Sequence, residues 1–173
     1  MVSKPVKLTK EHDLSQFDCG NGPLTTWLQK YALQNQTANH AKTVVITEDD
    51  SNIVIGYYSY NIISVEHSES TPVRVSKGLA RHPIPVFLVA RLAIDNKSKG
   101  QNLGSRLFRR ALLHAAEISD QVPIRAIIVD AIDDGARKFY NRFDFEPYPA
   151  DGLRMWLLLK DLIKTQQTMK LQK

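Results

Sequence analysis

The ten residues Asp95–Gly104 (DNKSKGQNLG) have the composition of an anion seat. An apolar run, VFLVARLAI (Val86–Ile94), precedes them, and a helix with apolar residues at Leu103, Leu107, Ala111, Ala115 and Ile118 follows. A strand that enters a helix through so tight a turn points several unpaired backbone N–H groups at one spot. The helix dipole adds partial positive charge there, as phosphate binding requires. Gly100 and Gly104 let the backbone approach a ligand, and Lys97 and Lys99 add charge. An ordinary strand-to-helix connection can carry the same letters, so the turn alone leaves both readings open.

Other reactive side chains are sparse. Tyr140 lies four residues after Ala136 in a helical stripe with Phe139 and Phe143, and periodicity alone assigns it to the core. The histidines at 12, 40, 67, 82 and 114 are scattered without metal-ligand spacing, and none is given a role. Cys19 is the single cysteine, unable to form an internal disulfide or a cysteine metal cluster.

The elements that must position these groups read as follows. Val86–Ile94 is apolar on both faces except at Arg91, which suits a central strand covered on both sides. Pro5–Thr9 is a first strand. Phe17–Gln36 is a loop and a helix, with Pro23 in the first turn and Leu24, Trp27, Leu28, Tyr31 and Ala32 on the buried face. Lys42–Glu48 and Ile53–Ile63 flank the polar turn 49–52 and predict a hairpin, with Gly56 marking a bulge or a close approach. Glu66–Ala80 reads as a surface loop with an edge strand near Val73–Val75. Ile124–Ala131 is a second buried strand, Asp133–Phe143 a short helix capped by Asp133, Leu153–Leu159 a last strand, and Lys160–Lys173 a basic tail or frayed helix. The strand–helix–strand run through residues 86–131 predicts a parallel pair. The expectation is an α/β (α+β layered) fold with a mixed sheet and one domain over residues 1–173. Ligands in such sheets bind at the carboxyl ends of strands, where the turn after Ile94 lies.

Composition is that of an ordinary globular protein, 43% hydrophobic and 24% charged, and no apolar run has membrane-spanning length. The N-terminal residues lack the apolar core of a signal peptide, so cytoplasm is the expected compartment. The net charge of +5 is unevenly placed. Residues 74–110 carry nine basic groups against the single Asp95, while residues 1–73 and 111–159 are each net acidic. Such a block suits a polyanion and argues against a polycationic substrate, although a solvated basic face has the same composition.

Two stretches then take on a family likeness. ARLAID with KGQNLGSRLF (Ala90–Phe108) resembles the acetyl-CoA motif of the GNAT N-acetyltransferases, Gln/Arg-x-x-Gly-x-Gly/Ala, with Lys99, Asn102 and Gly104 at its fixed places. DDGARKFYNRFDF (Asp133–Phe145) resembles that family's second signature, Asn/Asp-x-x-Ala-x-x-Phe-Tyr-x-x-x-Gly-Phe. FDCG, LTTWLQKYA, VIGYYSY and RHPIPV resemble the GNAT toxins of type II toxin–antitoxin modules, and the likeness runs from Val6 to Leu159. Asn102 and Asp144 depart from the pattern by standing where the family has glycine. Both residue types tolerate the left-handed region better than most, but a side chain at 102 stands close to where a pyrophosphate would lie.

The resemblance implies a GNAT fold with helices on both faces of the sheet, and acetylation of the α-amino group of aminoacyl-tRNA, which blocks translation. It implies acetyl-CoA held by Leu92, Ala93 and Ile94 along the pantetheine, by Lys99, Gly100, Gln101, Asn102, Leu103, Gly104 and Ser105 at the pyrophosphate, and by Phe139. Tyr140 takes the general acid's place, no metal is required, and direct acetyl transfer in that family makes Cys19 a structural or incidental thiol rather than a nucleophile. For tRNA the expected contacts are Arg74, Lys77, Arg81 and Arg91, helped by the tail lysines. Arg91 is equally suited to pairing with an acid inside the sheet. The family further implies a ribbon-helix-helix antitoxin, operator DNA bound only with that antitoxin, and a homodimer. Two other readings stay open: a GNAT enzyme for a protein or small amine, and a catalytically weak binding module.

Overall fold

The computed structural model describes residues 1–171, with side chains through Met169. The last two residues of the expected basic tail lie outside the described residues. Seven strands line up as β1 (Val6–Lys7), β2 (Lys42–Thr47), β3 (Val54–Val65), β4 (Ile84–Ile94), β5 (Ala126–Asp130), β7 (Arg154–Leu158) and β6 (Glu146–Pro147). Helices α1 (Gly22–Thr26), α2 (Ala32–Thr37), α3 (Val73–Ser76), α4 (Leu103–Ile118), α5 (Asp134–Asn141) and α6 (Leu159–Leu171) complete the mixed α/β arrangement. The chain divides into two compact units, Met1–Asn61 with Val89–Ala111 and Ile62–Leu88 with Leu112–Lys173.

In the first unit the predicted hairpin forms, with β2 antiparallel to β3 and Val45 opposite Tyr57. Gly56 satisfies both expectations at once. The register shifts beside it, between Ile46 and Thr47, and a Cβ at 56 would stand 2.6 Å from Ile94 Cδ1 and 3.0 Å from Ile46 Cδ1. The core gathers Leu8, Phe17, Leu28, Ala32, Val45, Val54, Tyr57 and Ala93, with Leu24 and Trp27 packed against it. Gln36, on α2, is buried, donating to Leu8 O (2.6 Å) and accepting from Thr43 N–H (3.1 Å).

The first helix departs from its predicted face. Pro23 stands in the first turn and Asn21 caps it, as the letters suggest. A π-helical turn, Trp27–Tyr31, then separates α1 from α2, closed by Ala32 N–H on Trp27 O. The extra residue shifts the helical phase, so Leu28 and Ala32 are buried while Tyr31 turns outward at 48% exposure.

In the second unit Val65, Val75, Ile84, Val86, Ala126, Ile128, Trp156 and Leu158 form the core. β5 and β7 pair antiparallel from Ala126 opposite Leu158 to Asp130 opposite Arg154, and β6 adds the edge. The edge strand expected near Val73–Val75 is instead the one-turn helix α3, entered through Pro72. Val75 is fully buried, and Arg125 donates to the carbonyls of Val75 (2.9 Å), Lys77 (3.0 Å) and Arg74 (3.3 Å), which closes the turn. Leu159, expected at the end of a strand, begins α6, and the two-residue strand β6 carries no periodic signal.

Candidate active site

The turn after β4 is built around Asp95, whose side chain is buried at 6% exposure. One carboxylate oxygen accepts from Lys97 N–H (2.9 Å) and the other from Asp18 N–H (2.9 Å). Asn96 N–H returns a bond to Asp18 O (2.8 Å), and Lys99 Nζ reaches Cys19 O (2.7 Å) and Asn96 Oδ1 (2.6 Å). The FDCG loop and the turn are thereby tied together, and Lys99 spends much of its ammonium on that tie. Lys97 stays exposed. Sequence reasoning missed Asp95 as the organiser; a lone acid directly after an apolar strand was the available signal.

A 3₁₀ turn, Asn96–Ser98, leads to Gly100 at φ +80° and Asn102 at φ +58°. The first bond of α4 runs from Arg106 N–H to Asn102 O (3.2 Å). The N–H groups of Leu103, Gly104 and Ser105 therefore lie in the open first turn, where the partial positive charge of a 16-residue helix is concentrated. Asn102 adopts left-handed backbone of the kind glycine most readily takes, as expected of an asparagine there, and so does Asp144 at φ +65°. Such a turn fits a pyrophosphate: donors on one side, lysine charge nearby, and open space around a Cβ at Gly100.

Leu92, Ala93 and Ile94 form the C-terminal end of β4, Ala93 buried and its neighbours half-buried. Arg91, just before them, is not paired with an acid. Its guanidinium carbon stands 4.1 Å from the centre of the Trp27 ring, and burial pulls its pKa down. Acid pairing fails because the strand's neighbours at this point are the aromatic rings of Trp27 and Tyr57 rather than carboxylates.

Tyr140 belongs to the second unit. Asp133 caps α5 by accepting Ala136 N–H (2.7 Å), and the helix buries Tyr140 at 8% exposure. Phe139 meets it edge-on at 5.2 Å, and Phe145 lies 6.1 Å away. Burial, and secondarily the charge of Asp130, push the phenol's pKa up to about 12. It is a proton-bearing group throughout the physiological range. Asp130 is itself held by Arg154 through Nε (2.7 Å) and Nη2 (2.9 Å). These two residues line a cavity of about 530 Å³ with Ser70, Tyr148 and Asp151, a feature no sequence motif announced.

The four expected tRNA contacts are differently placed. Arg74 is bound to Asp161 (2.7 Å) and stands over Trp156, whereas Lys77 and Arg81 are exposed. Cys19 is buried against Asn21 O and Thr25 Oγ1, in keeping with a structural thiol. Among the described residues no group of three His, Cys, Asp or Glu side chains is placed to hold a metal, and no helix is long and apolar enough to cross a membrane.

Comparison with known proteins gives these features a context. A tRNA-acetylating toxin of Mycobacterium tuberculosis is 38% identical over 159 residues, covering 92% of this chain and 93% of that protein. The solved structure of AtaT complexed with acetyl-methionyl-tRNAfMet superposes with a TM-score of 0.85 at 22% identity, covering 95% of this chain and 99% of the other. A mutant AtaT toxin bound to the C-terminus of the antitoxin AtaR and acetyl-CoA gives a TM-score of 0.79 at 22% identity, covering 93% and 95%. At such identities the two structures speak for the fold. The family model described as an acetyltransferase (GNAT) domain matches residues 12–164, and the chain accordingly belongs to the GNAT acetyltransferase family.

Proposed function

We propose that this protein is a toxin that transfers acetyl from acetyl-CoA to the α-amino group of an aminoacyl-tRNA and thereby blocks translation. The observation that carries the reading is the 38% identity, over nearly the whole chain, to a toxin named for acetylating tRNA. The block of nine basic groups in residues 74–110 supports a polyanionic substrate. Left-handed backbone at both Asn102 and Asp144 speaks against the weak binding module, whose main ground was the loss of two glycines.

The residue roles follow from chemistry. The backbone of Leu92, Ala93 and Ile94 binds the pantetheine arm as an added strand. The amides from Lys99 to Ser105, through Gly100, Gln101, Asn102, Leu103 and Gly104, take the pyrophosphate, and Phe139 packs against the cofactor. Bound acetyl-CoA supplies the acyl group as an activated thioester. The substrate's α-amine has an ordinary pKa of about 8, so a fraction is neutral near pH 7 and can attack without an assigned base. As the new C–N bond forms and the C–S bond breaks, Tyr140 would donate its phenolic proton to the departing sulfur, and the proton released by the acylated nitrogen would pass through solvent to restore the phenol. Lys77 and Arg81 hold tRNA phosphates, Arg74 contributes from its pair with Asp161, and Arg91 supplies a further cation for a substrate phosphate.

We read residues 1–173 as one catalytic domain, since a single family model spans residues 12–164. The partners that suit the reading are a ribbon-helix-helix antitoxin, operator DNA in complex with it, and a second copy of the chain, in the cytoplasm. The likeness in fold to an antitoxin-bound AtaT supports the first of these. The test is acetyl transfer from labelled acetyl-CoA to a mixture of charged tRNAs. Label on charged but not uncharged tRNA is expected. Label only on protein or small amines would overturn the substrate assignment.

A further inference from the structure

Arg91 occupies an unusual position for a charge. It sits on β4, in a stretch otherwise apolar, one residue before the proposed pantetheine edge. Among the described residues its side chain makes no ion pair and no hydrogen bond; its partner is the indole of Trp27, at 4.1 Å. Trp27 is in turn backed by Tyr57, stacked at 6.0 Å with 13° between the planes. Tyr57 is fully buried, anchored by its hydroxyl on Leu24 O (2.7 Å) and met edge-on by Phe17 at 5.6 Å. The four side chains form a chain of ring contacts that runs from the core to a half-buried guanidinium.

We propose that Arg91, held over Trp27, is a preformed seat for a phosphate oxyanion of the substrates, and that Trp27 is its positioning residue. A guanidinium held over an indole face by cation–π attraction spends none of its N–H donors there, so its planar fork keeps the capacity for two parallel bonds to a phosphate. The charge is left without a counter-ion in a half-desolvated place, a setting that an incoming anion improves. Burial already depresses the arginine's pKa. The π-turn that begins at Trp27 belongs to the same device: it breaks the helix at the residue that carries the stack, as such turns often do at functional positions. The inference rests on the proposed substrates, which offer two sources of phosphate: the tRNA backbone and the phosphates of acetyl-CoA.

Binding experiments without turnover separate these sources and stand apart from the acetyl-transfer assay. The affinities of the full chain for uncharged tRNA and for CoA are measured across a salt series, with Arg91→Gln, Arg91→Lys and Trp27→Leu. If the phosphate is the nucleic acid's, Arg91→Gln weakens tRNA about tenfold, lowers the salt slope by about 0.7–0.9, and leaves CoA unchanged. If it belongs to CoA, the CoA affinity falls about tenfold and the tRNA slope stays. Arg91→Lys restores the slope but not the affinity, because a lysine lacks the planar fork. Trp27→Leu keeps the slope and loses several-fold in affinity. Unchanged affinities for both ligands in Arg91→Gln would overturn the seat. Wild-type affinity in Trp27→Leu would overturn the positioning role. Thermal melting verifies the fold of Trp27→Leu, and the Arg91 variants leave the aromatic stack in place.

Discussion

Replacing Tyr140 by phenylalanine removes one hydroxyl from a ring that is 8% exposed and leaves its contacts with Phe139 and Phe145 intact. With a pKa of about 12, the phenol is ionised in roughly one molecule in 10⁵ at pH 7, so essentially every protein molecule carries the proton. Loss of a positioned acid costs about 10²–10⁴ in rate, or about 3–5 kcal/mol of barrier. Single-turnover acetyl transfer should fall by that factor in Tyr140→Phe, with the affinities for CoA and tRNA unchanged. The pH–rate profile of the wild type should rise through the pKa of the substrate amine and show no falling limb below about pH 11. Stability supplies an independent reading. The folded-state pKa is raised from 10.0 to about 12, so the contribution is fully present below pH 10 and is lost as pH climbs to 12. The loss is about 3 kcal/mol, and denaturation of wild type and Tyr140→Phe across pH 9–12 should diverge by that amount. A variant that keeps a third or more of the single-turnover rate would refute the acid role. A falling limb near pH 9 that the variant abolishes would refute the buried, proton-bearing phenol.

Three structural perturbations accompany it. Gly56→Ala drives a Cβ to 2.6 Å from Ile94 Cδ1 and should destabilise by about 1–3 kcal/mol in urea; adding Ile94→Val, which deletes that methyl, should recover part of the loss. Asp95→Ala orphans the N–H groups of Asp18 and Lys97 and should cost about 2–5 kcal/mol with weaker CoA binding, read by calorimetry. Asp95→Asn, which keeps one carbonyl acceptor, should fall between. Arg125→Met releases three carbonyls of the α3 turn, and hydrogen exchange should rise in residues 73–78 alongside a loss of about 1–3 kcal/mol.

The hairpin of β2 and β3, the β4 and β5 strands, the helices α4 and α5, and the tight helix-entry turn at residues 95–104 are all legible in the letters alone. Each is a local pattern: apolar periodicity, capping residues, or glycines in a turn. Even the departures at Asn102 and Asp144 were legible, because left-handed tolerance is a property of the single residue. Tertiary structure decided the rest. Val75, in a segment with little periodicity, became the buried pin of a one-turn helix because Arg125, fifty residues away, satisfies its carbonyls. The phase of the first helix slipped at Trp27, where packing on Tyr57 rewards an extra residue that periodicity does not anticipate. Arg91 found an indole in place of an acid, and Asp95 bonded to Asp18 across 77 residues. These are pairings between distant positions. A local pattern fixes what a residue can do, and only the fold brings it the partner with which it does so.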